Sequence, residues 1–173
     1  MESFLKKNFT VMYGIKSASK QATIRAAKEF SGILRPGDRI ALCGGLGAGK
    51  THFVKGLVAG LGGNASDVQS PTFNLIKRYR AADGVIYHFD FYRLKGFEEL
   101  ENTGYREIIS DPETIAAVEW PEVARQTWTD FNFAVRLEHS GDNERKLTVY
   151  RAKIKGKPAA KKAAGKKDKR TDL

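Results

Sequence analysis

From Gly44 to Thr51 the chain reads Gly-Gly-Leu-Gly-Ala-Gly-Lys-Thr, which fits the pattern G-x-x-x-x-G-K-[ST] over its full length. The short apolar run 39–43 precedes it, and apolar residues at helical spacing follow it from 50 to 61. A strand, a glycine-rich loop and a helix in this order are typical of a phosphate-binding loop. The sequence therefore predicts an α/β domain that binds a nucleoside triphosphate.

The residue types of this loop suit the chemistry of phosphate. Glycine lets the backbone approach the phosphates closely, and the helix that follows directs the positive end of its dipole towards them. Lys50 is predicted to act in catalysis as a cation at the β- and γ-phosphates of ATP, and the Thr51 hydroxyl to bind Mg²⁺. The further residues predicted to contact the nucleotide are Gly44, Gly45, Gly47, Ala48, Gly49 and His52.

Two other interpretations of the loop are disfavoured. A dinucleotide-binding fold would have G-x-G-x-x-G and would not need the Lys-Thr pair. A glycine-rich turn without a ligand would not need a strand before it and an amphipathic helix after it.

Two predicted strands end in a carboxylate, as a magnesium site beside a phosphate-binding loop requires. Asp90 closes the apolar run 85–90, and Glu119 closes the run 115–119, with Pro121 shortly after. Either acid is a candidate for the metal and the other for the attacking water, and the residues alone leave both assignments open. Strand-end acids that cap a helix or pair with an arginine are the structural alternative.

Further candidates lie around these acids. Thr72, in Ser70-Pro71-Thr72, is a candidate for a switch that contacts the γ-phosphate, with an ordinary proline turn as the alternative. Trp120 is a candidate nucleotide neighbour, core anchor or partner contact. The three histidines show no metal-ligand spacing and are predicted to have structural roles.

The remaining pattern predicts a domain rich in strands. Alternating or apolar runs predict strands at 9–13, 73–80, 85–92, 114–120, 131–138 and 146–154, with a tight hairpin at Asp83-Gly84. Helical spacing predicts helices that include 24–34 and 97–102.

Length and charge bound the rest of the interpretation. The 173 residues fit one domain, 1–154, followed by a Lys/Ala-rich tail, 155–173, that lacks the apolar residues a fold needs and is predicted to be disordered. Of the net charge of +10, +8 lies in residues 151–173. One cysteine, no signal peptide and no membrane span together favour a cytoplasmic protein.

Taken in order, five motifs resemble the bacterial TsaE family, formerly called YjeE. The matching stretches are Gly47–Thr51, Ser70–Phe73, Tyr87–Arg93, Glu98–Glu101 and Val118–Pro121. Only the first is specific by itself, but the five together, spread over residues 17–123, are highly specific. Gly45 and His52 depart from the family pattern, which often has an acid and a second threonine there.

The resemblance implies a three-layer P-loop NTPase fold with a mixed central sheet. It implies that Thr51 and Glu119 bind Mg²⁺, that Asp90 serves hydrolysis, that Thr72 lies in the switch and that Trp120 lies near the nucleotide or a partner.

It also implies a slow Mg-dependent ATPase required for N6-threonylcarbamoyladenosine (t6A) at position 37 of tRNA. Such a protein acts with two paralogous sugar-kinase-like subunits, of the TsaB and TsaD type, and reaches tRNA only through that complex.

Three alternatives stay open. A P-loop small-molecule kinase would need an acceptor lid, for which Arg93 and Arg106 are the available arginines. A GTPase switch would need an Asn-Lys-x-Asp run, and the sequence has none. A nucleic-acid-binding protein would act through its basic tail.

Overall fold

The structure is a computed structural model that describes residues 1–82 and 84–153. Its strands are β1 (Phe9–Ser17), β2 (Arg39–Cys43), β3 (Ile76–Ala81), β4 (Gly84–Asp90), β5 (Thr114–Glu119), β6 (Phe133–His139) and β7 (Arg145–Ala152). Its α-helices are α1 (Glu2–Asn8), α2 (Lys20–Ser31), α3 (Lys50–Gly60), α4 (Phe97–Glu101) and α5 (Tyr105–Ser110). The predicted tail 155–173 and Asp83 of the predicted hairpin lie outside the described residues.

The seven strands of the described residues form one mixed sheet in the order β1-β7-β6-β2-β5-β4-β3. The four strands β6, β2, β5 and β4 run parallel to one another, and β1, β7 and β3 pair antiparallel with their neighbours. Every residue of β2 and β5 is buried. Parallel strands are covered on both faces, which explains why the central residues of both strands, 40–43 and 115–118, are all apolar.

Helices cover both faces of this sheet, so the predicted three-layer fold is confirmed. On one face α2 and α3 contribute Phe30, Phe53 and Leu57 to the core above Ile40 of β2. The core on the other face contains side chains from α1, α4 and α5: Leu5, Leu100 and Tyr105.

Close packing between α2 and α3 fixes the helix that begins at the glycine-rich loop. A Cβ atom added to Gly56 of α3 would lie 2.2 Å from the Ile24 carbonyl oxygen and 2.5 Å from the Ala27 Cβ. Only glycine allows this approach of the two backbones, and the contact holds α3 in place relative to the sheet.

Several elements differ from the sequence prediction. The strand predicted from Phe73 begins only at Ile76, because residues 71–75 turn and Leu75 has a φ of 63°. The strand predicted to reach residue 92 ends at Asp90, whose carboxylate accepts from the Tyr92 N–H and starts a 3₁₀ turn. Helices α1 and α5 were not predicted.

Candidate nucleotide-binding site

The candidate site lies at the carboxyl ends of three neighbouring parallel strands. Leu42 of β2 is the register partner of Glu119 on β5, and Glu119 is the partner of Asp90 on β4. The glycine-rich loop leaves the sheet directly after β2. In open α/β sheets ligands bind at this edge, so the topology brings the predicted loop and both predicted acids together.

The loop between β2 and α3 uses its glycines for backbone shape. Gly44, Gly47 and Gly49 have φ values of 152°, 72° and 101°. A Cβ atom on Gly44 would lie 2.4 Å from the Leu137 carbonyl oxygen, whereas a Cβ on Gly45 would meet nothing within 4 Å. The family difference at Gly45 therefore alters an open position and leaves the shape of the loop intact.

Lys50 lies in the first turn of α3 and turns back over the loop. Its Nζ donates to the Gly44 carbonyl at 2.7 Å and to the Gly45 carbonyl at 3.0 Å, and it lies 3.9 Å from the centre of the Trp120 ring. Burial lowers the pKa of this ammonium group, and the charge of Glu119 opposes the shift. A phosphate oxygen, being charged, is a stronger acceptor than either carbonyl.

Glu119 is the point at which three elements meet. Its Oε1 accepts a hydrogen bond from the Thr51 hydroxyl at 2.9 Å and lies 2.9 Å from Nε2 of His88. The Glu119 side chain is 5% exposed and the His88 side chain is fully buried. The structure thus joins the loop threonine to the acid of β5, and it adds a histidine of β4 that was predicted to be structural.

The contact of His88 had a signal in the sequence. Side chains alternate along a strand, so residues 88 and 90 share a face of β4, and residues 117 and 119 share that face of β5. A histidine two positions before Asp90 therefore lies on the same face of the sheet as Asp90 and Glu119, close to both acids.

Asp90 holds the segment that was predicted to contain the switch. Its Oδ2 accepts from the Thr72 hydroxyl at 2.5 Å and from the Ser70 hydroxyl at 3.0 Å, while Oδ1 caps the Tyr92 N–H at 3.0 Å. The structure brings Thr72 to Asp90, and Glu119 occupies the neighbouring register position.

Trp120 follows Glu119 in a left-handed conformation, with φ 56° and ψ 47°. For a residue other than glycine this conformation costs about 1–2 kcal/mol, and such strain clusters at functional sites. The half-buried ring lies against Tyr92, with centroids 5.1 Å apart, and under the Lys50 ammonium. Trp120 is thus in contact with Lys50, the lysine of the glycine-rich loop.

His52 lies apart from this cluster. It is half-buried, and burial lowers its pKa, as do the positive charges of Lys20, Lys55 and Arg145. Arg145 also donates to the Gly47 carbonyl at 3.2 Å from the start of β7. Neither the position of Arg145 in the sequence nor the residues around it predicted its contact with the glycine-rich loop.

The donor set fits Mg²⁺ rather than a metal held by protein alone. Within residues 1–82 and 84–153 no group of three or more His, Cys, Asp or Glu side chains is placed to hold a metal ion. Mg²⁺ keeps several waters and takes one or two protein oxygens together with substrate phosphates. The Thr51 hydroxyl and the Glu119 carboxylate supply such oxygens beside the loop.

Comparison with known proteins agrees with this geometry. The family model described as "Threonylcarbamoyl adenosine biosynthesis protein TsaE" matches residues 17–147. The TsaE protein of Rickettsia conorii is 35% identical over 131 residues, which cover 76% of this chain and 74% of that protein. The TsaE protein of Aquifex aeolicus is 37% identical over 134 residues, which cover 77% and 92% of the two chains.

A solved structure shows the same fold. The crystal structure of Bacillus subtilis YdiB matches with a TM-score of 0.61 and 27% identity, covering 83% of this chain and 88% of that chain. Among the described residues no helix is long and apolar enough to cross a membrane.

Proposed function

Because the chain belongs to the TsaE family, we propose that it is a slowly hydrolysing ATPase subunit required for t6A modification of tRNA at position 37. It binds ATP and Mg²⁺ and acts through two sugar-kinase-like subunits of the TsaB and TsaD type, which carry the contact with tRNA. The observation that supports the ATP and Mg²⁺ part of this proposal is the hydrogen bond from Thr51 to Glu119, which joins the glycine-rich loop to a strand-end acid.

Thr51 and Glu119 are proposed to hold the metal. The threonine hydroxyl can donate its proton to Glu119 and still offer an oxygen lone pair to a cation. When bound, Mg²⁺ neutralises charge on the β- and γ-phosphate oxygens. Lys50 supplies a second positive charge, and the backbone of 44–49 supplies N–H donors.

Asp90 is proposed to orient the attacking water, whereas Glu119 is proposed to bind the metal. Its Oδ2 is already occupied by the hydroxyls of Ser70 and Thr72. A water molecule must compete with both hydroxyls for this oxygen, and the competition supports slow hydrolysis by the chain alone.

An exposed aromatic side chain next to Thr72 supports action through partner proteins. Phe73, which follows Thr72, is 82% exposed, and the Arg93 guanidinium lies 4.2 Å from the centre of its ring. A large apolar side chain exposed to this degree beside a candidate switch suits a protein contact. A partner that moves Phe73 would move Thr72 and change its hold on Asp90.

The direct test is the t6A content of tRNA in a bacterium whose own TsaE is depleted. The wild-type chain should restore t6A, measured by mass spectrometry of tRNA nucleosides, and Lys50→Ala and Glu119→Ala should not. Lys28→Ala, on the exposed face of α2, is the matched control and should behave like wild type. Failure of the wild-type chain to restore t6A at normal abundance would contradict the proposal.

Purified protein tests the proposed reaction. With ATP, Mg²⁺ and the two partners, the products should be ADP and phosphate, released faster than by the chain alone. Transfer of phosphate to a member of a metabolite panel would instead favour the small-molecule kinase.

A further inference from the structure

His88 is a buried polar residue whose position in the core needs an explanation. It lies in β4, its side chain is fully buried, and its ring lies 6.2 Å from that of Tyr79. Burying a polar ring costs free energy unless its polar atoms are hydrogen-bonded, and an apolar side chain would fill the same space without that cost. The contact that His88 makes in return is with Glu119.

The direction of that hydrogen bond follows from the two partners. An ionised carboxylate can only accept, so Nε2 of His88 is the donor to Oε1 of Glu119. The other ring nitrogen, Nδ1, is buried and has no partner within residues 1–82 and 84–153. With the ring proton on Nε2, no donor proton at Nδ1 is left without an acceptor.

Oε1 of Glu119 therefore receives two donors from different elements. Thr51 approaches from α3 and His88 from β4, each at 2.9 Å. A glutamate has several rotatable bonds, and two donors on one oxygen hold the carboxylate in a single orientation. A side chain fixed before binding loses less freedom when a ligand arrives, which raises affinity.

We propose that His88 is a positioning residue, which donates from Nε2 to hold the Glu119 carboxylate in the orientation that accepts Mg²⁺ beside Thr51. This inference rests on the proposed function, because it assigns Glu119 to the metal. Removal of outer partners of metal ligands typically lowers metal affinity about 10–100-fold, and we expect a loss in that range.

The test compares three substitutions that differ in where they place an N–H group. In His88→Gln the side-chain amide reaches the position of Nε2, in His88→Asn it reaches only that of Nδ1, and His88→Leu has no donor. Tyr79→Phe is the matched control, because it alters the ring beside His88 and removes a hydrogen bond to the Gln69 carbonyl without touching Glu119.

The readout is binding of Mn²⁺ in the presence of a non-hydrolysable ATP analogue, followed by the electron paramagnetic resonance signal of free Mn²⁺. We expect about 10–100-fold weaker Mn²⁺ binding for His88→Leu and His88→Asn, and binding within a few-fold of wild type for His88→Gln and Tyr79→Phe. Affinity for the nucleotide without metal, measured in EDTA, should stay within about twofold of wild type in all four variants.

The outcomes separate this inference from the proposed function. Equal Mn²⁺ affinity in His88→Asn and His88→Gln would overturn the positioning role, and that comparison decides the matter even if His88→Leu does not fold. A folded wild-type chain that binds neither nucleotide nor Mn²⁺ would instead overturn the proposed function itself.

Discussion

Replacing Lys50 by methionine removes one positive charge from the loop and keeps most of the side-chain volume. Lys50 is 5% exposed, and its ammonium group is held by the carbonyls of Gly44 and Gly45 and lies over the ring of Trp120. The ammonium group is therefore already removed from water in the folded protein, so phosphate binding does not require its desolvation.

The expected loss of ATP affinity follows from the contacts that Lys50 makes with the phosphates and those that it gives up when ATP binds. A hydrogen bond to a charged group is worth about 1.5–3 kcal/mol, and the phosphates gain it from Lys50. Against this, the ammonium gives up its carbonyl contacts and a cation–π contact of about 0.5–2 kcal/mol. The midpoints of these two ranges differ by about 1 kcal/mol, so we expect Lys50→Met to bind ATP about fivefold more weakly.

Fluorescence anisotropy of an N-methylanthraniloyl-labelled ATP, titrated with protein in the presence of Mg²⁺, measures this loss. Lys55→Met is the matched control, because it removes the same charge from the same helix at a position outside the loop contacts. A dissociation constant for Lys50→Met within about twofold of wild type, or an equal loss in Lys55→Met, would refute the assignment of Lys50 to the phosphates.

Three further predictions follow from the site and its surroundings. Gly44→Ala places a methyl group 2.4 Å from the Leu137 carbonyl and should weaken ATP binding at least about tenfold, whereas Gly45→Ala, with nothing within 4 Å, should bind like wild type in the same titration. Burial raises the pKa of Glu122 above its ordinary value, so ionisation of this group destabilises the fold increasingly as pH rises from the unfolded-state pKa to the folded-state pKa. Glu122→Gln should therefore raise the free energy of unfolding in urea at pH 7, with the gain disappearing below about pH 4, and an equal gain at both pH values would contradict this cause. In Trp128→Phe, ATP should still change the intrinsic fluorescence, because the remaining Trp120 lies 3.9 Å from Lys50, and a silent titration of a variant that binds labelled ATP would show that this contact does not respond to the nucleotide.

The parts of the fold that were predicted correctly are those in which the local sequence is compatible with only one backbone conformation. Residues 40–43 are all apolar because β2 is buried on both faces, and the prediction of a strand at 39–43 is confirmed to the residue. The glycines that follow require backbone angles that other residues avoid. Local sequence therefore determines the loop and its flanking elements.

Helices α1 and α5 were missed because their stability comes from tertiary contacts. Each has seven residues or fewer, which is too short to form a stable helix in water alone. Leu5 and Tyr105 are fully buried against the second face of the sheet, and that burial holds the two helices in place. A local pattern carries no information about such contacts.

In the candidate site too, some features follow from the local sequence and others depend on tertiary contacts. Asp90 and Glu119 were predicted as candidate site acids because each closes an apolar strand, but only the strand order of the sheet makes them register partners. The contacts of His88 with Glu119 and of Thr72 with Asp90 depend on that order and span 31 and 18 residues of sequence. Arg145 reaches Gly47 across 98 residues and gave no signal at all.

Isothermal titration calorimetry of the folded wild-type chain with ATP, with and without Mg²⁺, tests most directly whether residues 44–51 enclose a triphosphate. We predict saturable binding of one nucleotide per chain that is tighter with Mg²⁺, and loss of that metal-dependent gain in Glu119→Ala. Absence of any saturable heat at millimolar ATP and Mg²⁺, in protein shown to be folded by circular dichroism, would contradict the account.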